Sequence, residues 1–186
     1  GIIDLENNHR RHFNDSNVIR QASVSHSNGA DDEVLLDDGP NFVITGHGAD
    51  EVLATTTNSE RDIVLADHGT IEYHSNTNIA TFVSQATSLG GDDVIHTGLG
   101  SDIVVGGPGS DSIDSSTDES GELDRDIILG DNAQANFDSS GNLLHVTTID
   151  FATGGADSLK TGGGNDLVIG GAGTDYIESE SGADIV

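Results

Sequence analysis

A column of aspartates recurring every nine residues limits this chain to very few folds. Rows of nine start at 27, 36, 45 and 57, at 88, 97, 106 and 121, and at 152, 161, 170 and 179. Their sixth position reads Asp32, Asn41, Asp50, Asp62, Asp93, Asp102, Asp111, Asp126, Asp157, Asp166, Asp175 and Asp184, which is Asp in eleven of twelve. The eighth is aliphatic in every row, from Val34 through Ile113 and Val168 to Val186, and the fourth is Gly in nine. Nine residues are enough for one turn and one short strand, so such rows bury their apolar side chains only by stacking on one another.

The rows belong to a longer unit. GGPGSDSID at 106 lies over GGAGTDYIE at 170 at an offset of 64, and RDIVL at 61 lies over RDIIL at 125 at the same offset. In the more worn first third, TGHGADEVL at 45 matches row 106 at an offset of 61. This predicts three repeat units in one continuous solenoid, at 1–61, 62–125 and 126–186, the last including the start of a further unit. Between the rows lie segments 5–26, 66–87 and 130–151, each 22 residues long. Each carries an acid (Glu6, Asp67, Asp131), then a ring (His12, Tyr73, Phe137), then an Asn (Asn17, Asn78, Asn142) and an aliphatic (Val18, Ile79, Leu143). That order reads as strand, turn, strand, with the Asn suited to positive φ. It predicts either a β-excursion or a wider coil, and periodicity does not choose between them.

Composition shows why such a chain needs help to fold. Hydrophobic residues make up 33%, and 33 acidic side chains face 6 basic ones, for a formal net charge of −27. Low apolar content with high charge does not offset the entropy of ordering a chain unless the charge is neutralised. The acidity excludes nucleic acid and anionic membrane surfaces as partners and favours cations. No apolar run approaches the length of a membrane-spanning helix, so no membrane insertion is expected. Zero Cys excludes disulfides and thiolate metal sites.

GGPGSDSID and GGAGTDYIE resemble the GGxGxDxUx nonapeptide of the RTX (repeats-in-toxin) family. The resemblance implies an all-β fold, a parallel β-roll or β-solenoid in which six residues form a calcium-binding turn and three a strand, with turns on alternate edges. It covers a little over half the chain and leaves the 22-residue segments outside its pattern.

The residues lead to the same site on their own chemistry. Glycines at positions two and four (Gly46 and Gly48, Gly98 and Gly100, Gly107 and Gly109, Gly162 and Gly164, Gly171 and Gly173) let the backbone turn tightly at positive φ with its carbonyls inward. The Asp at position six closes the turn, and the aliphatic at eight points into the coil. Two rows make a coil, so row n lies beside row n+2, about 4.8 Å away. That predicts Asp93 beside Asp111, Asp102 beside Asp126, Asp157 beside Asp175 and Asp166 beside Asp184. Carboxylates about 5 Å apart repel by roughly 3 kcal/mol per pair at an effective dielectric near 20. Several such pairs would cancel a domain's stability unless a divalent cation sits between them. Carboxylate and carbonyl oxygens in flexible geometry suit Ca²⁺ over zinc or copper. The candidate ligands are therefore these glycines with Asp32, Asp50, Asp62, Asp93, Asp102, Asp111, Asp126, Asp157, Asp166, Asp175 and Asp184, holding several Ca²⁺ ions. In row 36, Asn41 after Pro40 predicts a weak or missing site. In rows 57 and 121, Glu60 and Asp124 replace the fourth Gly, and Arg61 and Arg125 are expected to stand in partly for a cation, which weakens the case for Asp62 and Asp126.

Other readings have less behind them. His9, His12, His47 and His68 are expected at the surface, no GxSxG elbow supports a hydrolase, and no Lys follows the GGxG strings as a phosphate loop requires. Thr45, Thr97 and Thr161 recur at position one, too sparsely for an ice-binding row, and Asn14-Asp15-Ser16 is a lone glycosylation sequon. The expected function is non-enzymatic: a calcium-rigidified module of a large secreted or cell-surface bacterial protein of adhesin, matrix or filament type. The alternative is the calcium-triggered folding and secretion domain of an exported protease or lipase. Gly1-Ile2-Ile3 aligns with Asp126-Ile127-Ile128, and Asp184-Ile185-Val186 opens the same element again, so both ends look cut in phase from a longer array. Neighbouring repeats, or copies of the chain end to end, are the expected partners besides calcium.

Overall fold

Among the described residues the rows fold as turns followed by short strands, and alternate rows feed two different sheets. The computed structural model describes residues 2–4, 20–22, 29–36, 39–54, 60–74, 78–116 and 124–186, which hold seventeen strands and no helix. The even rows build a parallel sheet in the order β1 (Ile2–Asp4), β4 (Phe42–Ile44), β6 (Ile63–Leu65), β10 (Ile103–Val105), β12 (Ile127–Leu129) and β16 (Leu167–Ile169). The odd rows build a second, in the order β17 (Tyr176–Gly182), β15 (Ser158–Gly164), β11 (Ser112–Asp114), β9 (Val94–His96), β5 (Glu51–Ala54) and β3 (Glu33–Leu36).

The nine-residue register is the pairing register. Eighth-position residues lie opposite one another, with Val43, Val64, Val104, Ile128 and Val168 in one sheet. Val34, Val52, Ile95, Ile113, Leu159 and Ile177 do the same in the other. Apart from the half-buried Ile177, these side chains are buried together between the two sheets. The chain is thus an all-β parallel β-roll with row n beside row n+2.

The interrow segments are excursions rather than wider coils. They form a third, antiparallel sheet in the order β14 (Leu143–Thr148), β13 (Ala133–Phe137), β8 (Ile79–Ser84), β7 (Gly69–Tyr73) and β2 (Arg20–Ala22). Tyr73 and Phe137 end the first strand of each hairpin, and Ile79 and Leu143 begin the second. The expected positive-φ Asn does not occur at Asn78 or Asn142: Gly141 takes that conformation at 85°. Asn142 instead donates to Asp138 from its backbone at 2.9 Å and its side chain at 3.0 Å. Glu6, His9, His12, Asn14, Ser16, Asn17 and Val18 lie outside the described residues.

This third sheet covers the outer face of the even-row sheet. Residues at positions seven and nine of those rows (Ile63, Leu65, Ile103, Val105, Ile127, Leu129) pack against Ile71, Phe82, Ala133, Ala135 and Phe137 in a second core. Phe82 and Phe137 meet with ring centroids 6.1 Å apart. Both faces of the even-row strands are therefore buried, and their sequences are accordingly apolar at three consecutive positions.

Candidate metal-binding turns

The turns place the aspartates in two ladders, one along each edge of the roll. On one edge Asp32 N–H donates to Asp50 Oδ1 (2.8 Å), Asp50 to Asp93 (2.7 Å), Asp93 to Asp111 (2.9 Å), Asp111 to Asp157 (2.9 Å) and Asp157 to Asp175 (3.2 Å). On the other, Asn41 N–H donates to Asp62 Oδ1 (2.9 Å), Asp62 to Asp102 (2.8 Å), Asp102 to Asp126 (2.8 Å), Asp126 to Asp166 (3.0 Å) and Asp166 to Asp184 (3.1 Å). One carboxylate oxygen per residue thus ties a turn to the turn one coil away, and the ladders run unbroken past each hairpin.

The second oxygen shows whether a cation fits. Oδ2 of Asp50, Asp93, Asp102, Asp111, Asp157 and Asp166 is buried without a hydrogen bond, a costly state for six carboxylates. The glycines at position one leave room beside it. A Cβ on Gly106 would stand 2.3 Å from both Asp111 Oδ2 and the Gly130 carbonyl oxygen, and one on Gly130 would stand 2.2 Å from Asp157 Oδ2 and 2.5 Å from the Gly170 carbonyl oxygen. Orphaned carboxylate oxygens and main-chain carbonyls converge on the same space, a hard-oxygen set that fits Ca²⁺. Burial pushes these groups up: Asp50 to about 6, Asp157 to about 7, Asp102 and Asp111 to about 8, and Asp93 and Asp126 to about 9, with neighbouring carboxylates adding to the rise.

Residues 87–117 and 151–186 match the RTX calcium-binding nonapeptide repeat, in four copies. These two segments carry RTX calcium-binding repeats. No curated protein and no solved structure matches it. The RTX match spans the rows of Asp93, Asp102, Asp111, Asp157, Asp166, Asp175 and Asp184. The ladders show that Asp32, Asp50, Asp62 and Asp126, outside the matched segments, occupy the same place in their turns.

The turns differ from the sequence reading at several residues. Arg61 and Arg125 are exposed, and Arg61 Nε donates to the Ser101 carbonyl at 2.8 Å. Asp126 keeps its place in the ladder through Oδ1, but its Oδ2 accepts from Ser115 Oγ at 2.6 Å, unlike the six orphaned oxygens; Asp124 and Asp166 bring carboxylate oxygens to within 4.8 Å of its own. Asn41 occupies its turn with its side-chain amide, which donates to Gly39 O at 2.8 Å and Asp62 Oδ1 at 3.0 Å. Gly46, Gly98, Gly107 and Gly171 at position two, and Gly48, Gly100, Gly164 and Gly173 at position four, take positive φ. Gly109 and Gly162 do not: a Cβ on Gly109 would stand 1.8 Å from the Gly91 carbonyl oxygen, and Gly162 continues strand β15. His68 is buried rather than on the surface, with its ring 6.5 Å from that of His47. Thr45, Thr97 and Thr161 are buried and form no exposed row.

The hairpins begin two residues later than the sequence suggests. Gly106 N–H donates to Leu129 O and Gly107 N–H to Gly130 O, while Gly130 N–H donates to Ile169 O and Asp131 N–H to Gly170 O, so Gly130 and Asp131 hold positions one and two of a turn. Ala66, whose N–H donates to Val105 O, and Asp67 do the same. The turn resumes at Gly90 and Gly154, so each hairpin is inserted inside a turn. Asp67 and Asp131 therefore belong to the ladder edge. Their recurrence at one offset was the available signal.

Proposed function

We propose that the chain is a calcium-folded structural module of a large secreted or cell-surface bacterial protein of adhesin, matrix or filament type. In this reading Asp32, Asp50, Asp62, Asp93, Asp102, Asp111, Asp126, Asp157, Asp166, Asp175 and Asp184 hold Ca²⁺ between turns, with the carbonyls of the turn glycines completing the sites. The units at 1–61, 62–125 and 126–186 form one solenoid. The observation that carries the proposal is the set of orphaned Oδ2 atoms along both edges of the roll, which at Asp111 and Asp157 share their space with backbone carbonyls. The role is structural, because the matched repeat is a calcium-binding unit rather than a catalytic one. No helix among the described residues is long and apolar enough to cross a membrane.

Strand β14 supports an array. It has one hydrogen-bonded neighbour, β13, among the described residues, whereas the equivalent β8 also pairs with the next hairpin. A further hairpin, from a neighbouring repeat or another copy, completes the same pairing. Small-angle scattering tests the module: a calcium-loaded rod that expands to a flexible chain in chelator is the expected result, and a flexible chain in both conditions would sink the proposal. A catalytic domain upstream in the parent reading frame would favour the secretion domain of an exported enzyme instead.

A further inference from the structure

Resting on that calcium reading, we infer that Asp67 is an additional calcium ligand where a hairpin leaves the roll, and that Pro108 makes it one. Uninterrupted turns hold a positive-φ glycine at position two, as at Gly107 (105°) and Gly171 (113°). Asp67 and Asp131 hold that position where the chain departs, and neither has positive φ, so each brings a carboxylate into the turn.

The two acids are treated differently. Asp131 is satisfied by the protein: Gly155 N–H donates to its Oδ1 at 3.2 Å and Ala172 N–H to its Oδ2. Asp67 is 4% exposed, and neither of its oxygens has a hydrogen bond of proper geometry, the approach of the Gly91 amide included. In row 106, Pro108 stands where row 170 has Ala172, and proline has no N–H to give. It turns its carbonyl there instead. A Cβ on Gly90 would stand 2.2 Å from Asp67 Oδ2 and 2.4 Å from Pro108 O, so both oxygens face one space. The nearby charges acting on Asp67 are the carboxylates of Asp93, Asp111 and Asp50. A buried carboxylate facing a carbonyl and three acids needs a cation, and an all-oxygen set takes Ca²⁺. Because Asp67 adjoins β7, the ion also links the hairpin sheet to the roll.

Equilibrium dialysis against Ca²⁺, with bound metal counted per chain, tests this. Asp67→Asn and Pro108→Ala should each bind one ion fewer than wild type, or bind it about tenfold more weakly. Asp131→Asn should match the wild-type count. Pro108→Ala follows the precedent of Ala172 and keeps the test decisive if Asp67→Asn does not fold. An unchanged count and midpoint in Pro108→Ala, or in folded Asp67→Asn, would mean that the Asp67 carboxyl holds a proton against Pro108 O, and would overturn the inference alone. A wild-type chain fully folded in chelator would overturn the underlying calcium reading.

Discussion

Asp111 illustrates the economy of each turn: Oδ1 holds the Asp93 amide, and Oδ2 is left beside the Gly130 carbonyl. Asp111→Ala therefore removes a tie between coils together with a proposed metal ligand, and should raise the calcium midpoint clearly. Asp175→Ala should do so less, since Asp175 is only half-buried. Asn41→Ala should change it little, because the Asn41 amide fills its own turn. A calcium titration followed by circular dichroism ranks the three; an Asn41→Ala effect as large as that of Asp111→Ala would contradict the assignment. The same carboxylates set the pH response. Folded values between about 6 and about 9 stand above the ordinary 3.8, so the metal-free fold is favoured below 3.8 and loses that advantage as pH rises through the window from 6 to 9. Calcium binds the deprotonated form, so its midpoint should rise as pH falls from 9 to 5. A midpoint independent of pH would contradict the burial of these groups. The Asp column was legible because one ligand per nine residues leaves a periodic trace. Asp67 and Asp124 lie outside that column, so they showed only as a recurring acid of the interrow segments and as a replacement for the fourth Gly, with no sign that either faces a turn.

At the level of elements, the even-row strands hold the molecule together, since they are packed on both faces. Phe82 is fully buried at the junction of the hairpin sheet and the roll. Phe82→Ala should cost about 3–5 kcal/mol, as large-to-small changes in a packed core do. Thermal unfolding of the calcium-loaded variant checks it, and an unchanged transition would mean that the hairpin sheet does not support the roll. The sequence carried the signal for this packing. Rows 36, 57, 97, 121 and 161 read FVI, IVL, IVV, IIL and LVI, whereas rows 88, 106 and 152 read VIH, SID and SLK. Three apolar residues in succession mark a strand covered on both sides. Which segment provides the cover is a long-range question that local periodicity does not answer. Strand boundaries in the hairpins were legible from their ring and aliphatic residues, while their exit from within a turn showed only in the stacking of Asp131 on Gly170.

As a whole, the molecule carries a formal net charge of −27, which the proposed calcium ions would neutralise in part. Calcium lowers the repulsion between copies while leaving the β14 edge available, so association should rise with Ca²⁺ and reverse in chelator. Light scattering across a calcium titration checks this; a monomer at high concentration with calcium bound would leave β14 pairing only with repeats of its own chain. The central claim is that calcium supplies the free energy that folds the roll, and far-ultraviolet circular dichroism at neutral pH tests it most directly. In excess chelator the spectrum should be largely disordered, and calcium in the range of about 10⁻⁴ to 10⁻³ M should restore a β spectrum in one cooperative transition. A full β spectrum in chelator, unchanged when calcium is added, would contradict it.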